Sequence, residues 1–291
     1  MTDQTGRRVA VITGASSGIG KAAAKALLEQ GWHVIAHGRD AGRSAAAAEE
    51  LRAAAAPDAK LDVVRGDLAL LSDVARLAEE IAGLTDRIHV LANNAGGTRA
   101  ELVITPEGHE ATFAGNHLGH FLLTERLLPL LRKAAAESPA GTVRILNTSS
   151  AGHLASPPLD WDDIQYTRDW QSGRVYCLVK LYNVLHAREL AKRLAPDGIV
   201  AHSIHPGTIG SNFANHCEPG MKAYMESQDL RPPEEGADTL VWLATAPEAG
   251  EQTGLYFHKR AVSPMSDQAQ DDAAAARLWE ESGKMVAKAG Y

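Results

Sequence analysis

The sequence predicts a doubly wound α/β domain, in which helices cover both faces of a parallel sheet of about seven strands. Two observations lead to this fold. Short runs of aliphatic and β-branched residues alternate with alanine-rich helical runs, and a glycine-rich turn separates the first strand from the first helix. The 291 residues contain no internal repeat and no flexible linker, so we expect one domain over residues 1–291.

Each predicted strand is a short apolar run, and most of the predicted helices lie between two consecutive strands. The strands are Val9–Thr13, His33–His37, Leu61–Arg65, Ile88–Ala92, Val143–Asn147, Ile199–Ile204 and, as a candidate seventh, Leu255–Phe257. The helices are Lys21–Gln30, Ser44–Ala56, Asp73–Ala82, Phe121–Ala136 and Val175–Leu194. Gly31 ends the first helix and Pro57 ends the second, while Pro129 falls inside the fourth. Such alternation pairs the strands in parallel and places ligands at their C-terminal ends.

The composition excludes several classes of protein. Apolar residues make up 45% of the chain and charged residues 22%, as in globular proteins and unlike disordered, collagen-like or disulfide-rich chains. The formal net charge of −7 argues against a nucleic-acid partner, since such proteins are more often basic. Cys177 and Cys217 form no CxxC pair, so no metal-finger or redox motif is present.

No apolar run approaches the roughly 20 residues of a membrane-spanning helix. Arg7 and Arg8 precede the short apolar stretch Val9–Ile12, whereas the apolar part of an export signal needs about 7–15 residues. We therefore expect a cytoplasmic protein with no membrane partner.

A glycine-rich turn between Thr13 and Gly20 has the spacing G-x-x-x-G-x-G. Glycines there allow the backbone to approach a pyrophosphate closely, and the following helix N-terminus offers free N–H groups to the same anion. The same residues match G-x-S-x-G, the nucleophile turn of α/β-hydrolases, but that motif needs an upstream strand and loop, and only thirteen residues precede Gly14. The candidate cofactor-binding residues of the turn are Gly14, Ser16, Ser17, Gly18, Ile19 and Gly20.

Tyr176 and Lys180 lie four residues apart in a predicted helix, so their side chains share one face. A nearby ammonium favours the phenolate and lowers the pKa of a tyrosine, which allows proton transfer near neutral pH. Alone the pair is a weak signal, because solvated helix faces carry such pairs by chance. Polar clusters at the ends of three predicted strands strengthen it, because a doubly wound sheet binds its ligands there. These clusters are 93–96, 149–150 and 205–208.

With these motifs in this order, the sequence resembles the short-chain dehydrogenase/reductase family over nearly its whole length. It is most similar to the branch of retinol-dehydrogenase-like and protochlorophyllide-reductase-like enzymes. The segments that carry this similarity are 116–124, 144–150, 180–183 and 278–280, together with the long insert before Tyr176. The resemblance implies a Rossmann-type fold and an oxidoreductase that transfers hydride between a nicotinamide and a carbonyl or alcohol.

The resemblance also assigns four catalytic residues. Tyr176 would be the general acid in carbonyl reduction and the base in alcohol oxidation, and Lys180 would lower the Tyr176 pKa and bind the nicotinamide ribose. Ser150 would polarise the substrate carbonyl, with Ser149 as the second choice. Asn116 would hold a water that relays protons to Lys180; without the resemblance, a helix cap would be the better interpretation of this residue.

The cofactor is expected to be NADP(H). In this family an acidic residue that selects NAD comes about eighteen residues after the last glycine of the turn. In this sequence that position is occupied by Gly38. Arg39 follows and can make charge-assisted bonds to a 2′-phosphate, with Ser16 as a further donor. Asp40 leaves NAD open as an alternative, because an acid about twenty residues after the glycines fits the NAD pattern, and Arg39 could instead be a surface arginine paired with Asp40.

The rest of the expected cofactor site follows from the same resemblance. Asp67 would bind the adenine, although a helix N-cap is the alternative. The further cofactor residues are Leu68, Asn93, Ala95, Gly96, Pro206, Gly207, Ile209 and Ser211. The twelve histidines show no convincing ligand spacing, so no metal is expected.

Two irregular, aromatic segments at about 151–173 and 212–233 follow strand ends and are predicted to be substrate loops. Their large side chains are Trp161, Tyr166, Trp170, Phe213, Met221, Tyr224 and Met225. These could line an apolar pocket for a lipophilic or aromatic aldehyde or ketone, or equally anchor the loops by packing. A non-catalytic NADP(H)-sensing protein is the alternative function. Proteins of the family that this sequence resembles occur both as homo-oligomers and as monomers, so either oligomeric state is expected.

Overall fold

One sheet forms the centre of the computed structural model, which describes residues 6–210, 218, 220, 222–223 and 227–291. In these ranges eight strands pair in the order β3-β2-β1-β4-β5-β6-β7-β8. They are β1 Val9–Ile12, β2 His33–Gly38, β3 Lys60–Arg65, β4 Val90–Asn93, β5 Arg144–Thr148, β6 Val200–His205, β7 Tyr256–His258 and β8 Ala261–Val262. All pairs are parallel except β7 with β8, which is antiparallel.

The helices lie on both faces of the sheet. They are α1 Gly18–Glu29, α2 Ala41–Ala54, α3 Leu71–Leu84, α4 Ala111–Phe113, α5 Gly119–Ala136, α6 Ser172–Leu194, α7 Pro233–Thr245, α8 Asp267–Gln270 and α9 Asp272–Lys288. A π-helical segment, Ala114–Leu118, joins α4 to α5 without a break. One apolar core lies between the sheet and α3, α5, α6 and α9, and a second lies under α1, α2 and α7.

The C-terminal helix α9 packs across α5 and α6. The indole of Trp279 lies against the rings of Phe121 and His186, with centroids 4.9 and 5.8 Å away, and under the guanidinium of Arg193. The buried imidazole of His117 makes a 2.8 Å hydrogen bond to the hydroxyl of Ser282. Thus α9 completes the core on this side of the sheet.

The predicted fold class is confirmed, and each predicted strand begins and ends within two residues of the observed one. Gly31 ends α1 with a φ of +80°, as expected for a glycine after a helix. The prediction contains neither α7 nor α9. It also misses β8, because two exposed residues carry no hydrophobic alternation. Pro129 lies inside α5 on its exposed side and does not end the helix.

The strand order reverses between β1 and β4, because the chain builds β2 and β3 on one side and the remaining strands on the other. The segments that leave the C-terminal ends of β1 and β4 therefore diverge and open a crevice. In open α/β sheets this is the place where ligands bind.

Candidate active site

A cavity of about 620 Å³ occupies this crevice. It is lined by the segments that follow each of the strands β1 to β6, and by Tyr176, Cys177 and Lys180 of α6. The predicted residues that line it are Gly14, Ser16, Ser17, Gly18, Ile19, Gly20, Arg39, Asp67, Leu68, Ala95, Gly96, Asn116, Ser149, Ser150, Tyr176, Lys180, Pro206, Gly207 and Ile209. The structure therefore brings together residues from widely separated parts of the chain.

The glycine-rich turn lies against the segment that follows β4. Gly14 has a φ of +71°, and a Cβ on it would lie 2.9 Å from the Cα of Ala95. A Cβ on Gly20 would collide with the carbonyl oxygen of Gly14, so both positions require glycine. Ser17 takes the N-cap position of α1 without a side-chain hydrogen bond to the helix, and the first turn of α1 faces the cavity. This cradle fits the pyrophosphate of a dinucleotide.

Tyr176 and Lys180 meet in the same cavity. The Lys180 Nζ lies 5.4 Å from the centre of the Tyr176 ring and donates a 3.3 Å hydrogen bond to the carbonyl of Thr148. The Lys180 side chain is buried, and burial lowers the pKa of its ammonium to about 8. A cation with so little water around it acts strongly on a neighbouring phenol.

The two serines after β5 differ in their surroundings. Ser149 is buried, and its hydroxyl donates a 2.7 Å hydrogen bond to the carbonyl of Lys180 inside α6. The Ser150 hydroxyl accepts a bond from the N–H of Gly152 and keeps its own hydrogen for another partner. Gly152 leaves space here: a Cβ on it would lie 3.5 Å from the Ser150 Oγ and from the Tyr176 ring. Of the pair, Ser150 is therefore the one placed to meet a ligand.

Asn116 lies in the π-helical segment, a feature often found at functional sites. Its amide donates to the carbonyls of Gly97 and Thr112, at 2.9 and 2.7 Å, and its Oδ1 accepts from the N–H of Gly97. A Cβ on Gly96 would lie 2.5 Å from this Oδ1 and 3.0 Å from the Lys180 Nζ, so the two side chains flank the same glycine. The side chain thus holds the segment after β4; its predicted role in holding a water stays a prediction.

The end of β2 forms a basic corner of the cavity. Arg39 and Arg43 both line it, and the Arg39 guanidinium lies 3.5 Å from the Asp67 carboxylate. Asp40, by contrast, caps α2 by accepting a 2.8 Å bond from the N–H of Arg43, and this bond lowers the pKa of its carboxyl. The carboxylate of Asp40 is therefore committed to the helix.

Gly38 cannot carry a longer side chain in this arrangement. A Cβ on it would collide with the Oγ of Ser44 and lie 3.0 Å from the Cβ of Ser16. The buried Ser44 hydroxyl has no hydrogen-bond partner among the described residues. A buried hydroxyl without a partner is uncommon.

Several predicted residues lie elsewhere. Asn93 does not line the cavity: its amide points into the core and donates to Thr124 and Asn147, at 3.0 and 2.9 Å. Its side chain is held in the core, because the last residue of β4 faces the core, and the predicted position of Asn93 beside the adenosine stays a prediction. Ser211, Phe213, Met221, Tyr224 and Met225 lie outside the described residues.

The aromatic residues of the insert at 151–173 are loop anchors. Trp161, Tyr166 and Trp170 pack against the core behind the cavity and do not line it. Trp170 donates to the Glu110 carboxylate at 3.3 Å, and Trp161 lies under the guanidinium of Arg277. Of the two interpretations of these side chains, the structure supports packing.

The sequence-based prediction missed several residues of the cavity: His37, Arg43, Arg99 and Cys177. Arg43 carried a signal, because a basic residue one turn into the helix after β2 is near the adenosine end. Cys177 carried one as well, because it follows Tyr176 in α6, whereas the placement of Arg99 depends on how the segment after β4 folds. Among the described residues, no three His, Cys, Asp or Glu side chains are grouped closely enough to hold a metal ion. In the same part of the chain, no helix combines the length and apolarity needed to cross a membrane.

The chain is similar to known proteins over nearly its full length. Residues 8–159 match the family described as short chain dehydrogenase. Human retinol dehydrogenase 13 is 34% identical over 288 residues, which cover 96% of this chain and 84% of that protein. DnrU, a protein of Streptomyces sp. (strain C5) named for daunorubicin C-13 ketoreduction, is 37% identical; the match covers 96% of this chain and 92% of that protein. The Pseudomonas aeruginosa RhlG/NADP complex superposes with a TM-score of 0.68 at 29% identity, covering 86% of this chain and 93% of that one.

Proposed function

This chain belongs to the short-chain dehydrogenase/reductase family, in its retinol-dehydrogenase-like branch, and on that premise we propose that it is an NADP(H)-dependent carbonyl reductase or alcohol dehydrogenase. The observation that carries the proposal is the pairing of Tyr176 with the buried Lys180 in a cavity that a glycine-rich cradle also lines. A proton donor and a dinucleotide site then face the same space.

In this proposal the protein supplies orientation and a proton. When bound, the nicotinamide gives or accepts the hydride. The Ser150 hydroxyl donates a hydrogen bond to the substrate oxygen, and the Tyr176 hydroxyl gives it a proton during reduction. Lys180 stabilises the phenolate that remains, and burial strengthens this effect. In oxidation the phenolate takes the alcohol proton.

NADP(H) is the proposed cofactor because the corner around Gly38 suits a phosphate. Arg39 and Arg43 line it and can make charge-assisted bonds to a phosphate. A carboxylate at position 38, which would bind the ribose of NAD, has no room beside Ser16 and Ser44. The carboxylate of Asp40 is held by α2.

The proposed substrate is an uncharged, lipophilic or aromatic aldehyde or ketone. Besides the buried Lys180, two further titratable side chains of the cavity are neutral at neutral pH, since burial lowers the pKa of His205 to about 4 and raises that of the Cys177 thiol. The names of the relatives fit a lipophilic or aromatic substrate, since retinol is a lipophilic alcohol and daunorubicin contains a fused, partly aromatic ring system. A cytoplasmic location is part of the same proposal.

The test follows NADPH oxidation with a panel of lipophilic and aromatic carbonyl compounds, comparing the native protein with Tyr176→Phe. We expect turnover by the native protein and a loss of at least about a hundredfold in kcat in the variant, because general acid catalysis contributes about 10²–10⁴-fold. NADPH should still bind the variant, which fluorescence titration measures. Full turnover by Tyr176→Phe would refute the mechanism. Tight NADPH binding without any turnover by the native protein would favour an NADP(H)-sensing protein instead.

A further inference from the structure

We propose that His120 is a positioning residue of this site, because its imidazole joins the glycine-rich turn to the backbone of Asn116. This proposal rests on the proposed function. Thr13 lies at the start of the turn, and Asn116 lies in the π-helical segment beside Lys180. His120 lies between them in the first turn of α5. It would therefore fix the cofactor cradle relative to the catalytic side chains.

Two hydrogen bonds define the position of His120. Its Nδ1 lies 3.1 Å from the carbonyl oxygen of Asn116, and its Nε2 lies 2.9 Å from the hydroxyl of Thr13. A carbonyl only accepts, so Nδ1 carries the proton. Burial lowers the pKa of His120 to about 4, which leaves the ring neutral at pH 7 and Nε2 free to accept. The Thr13 hydroxyl is the donor to Nε2.

At the Thr13 end, one hydroxyl organises the segment after β4. The Thr13 Oγ1 accepts from the N–H groups of Asn94 and Ala95, at 2.8 and 2.9 Å. Its single hydrogen can go to the carbonyl of Ala92, at 3.2 Å, or to His120, at 2.9 Å. The shorter bond to His120 selects the orientation in which both lone pairs face the two N–H groups.

At the Asn116 end, the bond reaches the π-helical segment. The Asn116 side chain holds the backbone of Gly97, and its Oδ1 flanks Gly96 together with the Lys180 Nζ. A shift of the Asn116 backbone would therefore move both the segment that lines the cofactor cradle and the surroundings of Lys180. Displacements of about 1 Å at such a site can cost about a hundredfold in rate.

Two substitutions separate the two bonds. His120→Asn keeps an amide donor near the position of Nδ1 but does not reach Thr13, and His120→Gln reaches toward Thr13 but lacks the donor to Asn116. His117→Gln is the matched control. This neighbouring histidine is equally buried, but it bonds Ser282 of α9 and faces away from the cavity.

The measurements are kcat and KM for a carbonyl substrate, the Kd of NADPH by fluorescence titration, and Tm. We expect both His120 variants to lose about tenfold or more in kcat and to bind NADPH several-fold more weakly, with KM for the carbonyl nearly unchanged. His117→Gln should lower Tm but stay within about twofold in kcat and Kd. His120 variants that match His117→Gln in kcat and Kd would overturn the proposal.

A test from the other end of the bond covers the case in which the His120 variants do not fold. Thr13→Val removes the hydroxyl that His120 holds, and Thr13→Ser retains it. We expect Thr13→Val to show the same losses in kcat and NADPH binding, and Thr13→Ser to resemble the native protein. Native behaviour of Thr13→Val would overturn the proposal. Failure of the native protein itself to bind NADPH would instead refute the proposed function.

Discussion

Replacing Arg39 by alanine should reduce the preference for NADPH over NADH. Arg39 lines the basic corner at the end of β2, and its side chain is 46% exposed and 3.5 Å from the Asp67 carboxylate. The 2′-phosphate distinguishes the two cofactors, so a guanidinium that contacts it acts on NADPH alone. Arg39→Ala therefore tests the cofactor assignment without touching the catalytic end of the cavity.

The exposure of Arg39 sets the size of the effect. A hydrogen bond to a charged group contributes about 1.5–3 kcal/mol when well shielded. Solvent screening at a half-exposed side chain, and the competing pair with Asp67, reduce this to about 1–1.5 kcal/mol. Because 1.4 kcal/mol corresponds to a factor of ten, the Kd of NADPH should rise about five- to tenfold. The effect should shrink at high ionic strength.

The assay compares Kd and kcat/KM for NADPH and NADH in the native protein, Arg39→Ala and Arg52→Ala. Arg52 is the control, since it lies in the last turn of α2, pairs with Glu49 and does not line the cavity. NADH parameters should change by about twofold or less in both variants, as for surface substitutions in general. An unchanged NADPH to NADH ratio in Arg39→Ala, or an equal change in Arg52→Ala, would refute the reasoning.

Two further predictions concern Gly96, which lies between the catalytic side chains, and Asp86, a carboxylate on the surface. In Gly96→Ala the new Cβ would lie 2.5 Å from the Asn116 Oδ1, so kcat should fall about tenfold or more. The control is Gly97→Ala, whose new Cβ would have nothing within 4 Å, and equal losses of kcat in the two variants would contradict the steric argument. Hydrogen bonds, the largest from Arg87, lower the pKa of Asp86 to about 2, so its contribution to stability is complete above about pH 4 and is lost between about pH 4 and pH 2. Asp86→Asn should lower Tm at pH 7 by about 1–3 °C, and thermal melts should show this difference disappear over that acid range; a constant difference would be the contrary result.

The positions of the functional segments could be predicted because parallel strands end at one edge of a sheet. Alternating strands and helices fix that geometry, so Gly14 and Ala95 meet although they lie far apart in the chain. The i, i+4 spacing likewise places Tyr176 and Lys180 together. These features depend on local periodicity and on general rules of connection.

Other features depend on packing that the sequence does not display. Asn93 faces the core and Asn94 the cavity, because the register of β4 decides which residue ends the strand. The π-helical turn at Asn116 contains Gly115, but a glycine in a helical run does not specify a π-turn, and a Cβ on the nearby Gly119 would collide with the carbonyl of Leu68. The Ser44 hydroxyl, which has no hydrogen-bond partner among the described residues, becomes visible only once Gly38 and Ser16 surround it.

The position of α9 has a consequence for biosynthesis. His117 and its partner Ser282 are 165 residues apart, and Trp279 covers Phe121 from the same distant helix. A ribosome adds about 5–20 residues per second, so about 8–33 s pass between the synthesis of the first partner and the second. During that interval the nascent chain presents an uncovered apolar face on α5 and then α6, a surface that holdase chaperones recognise. Docking of α9 is the event that closes it.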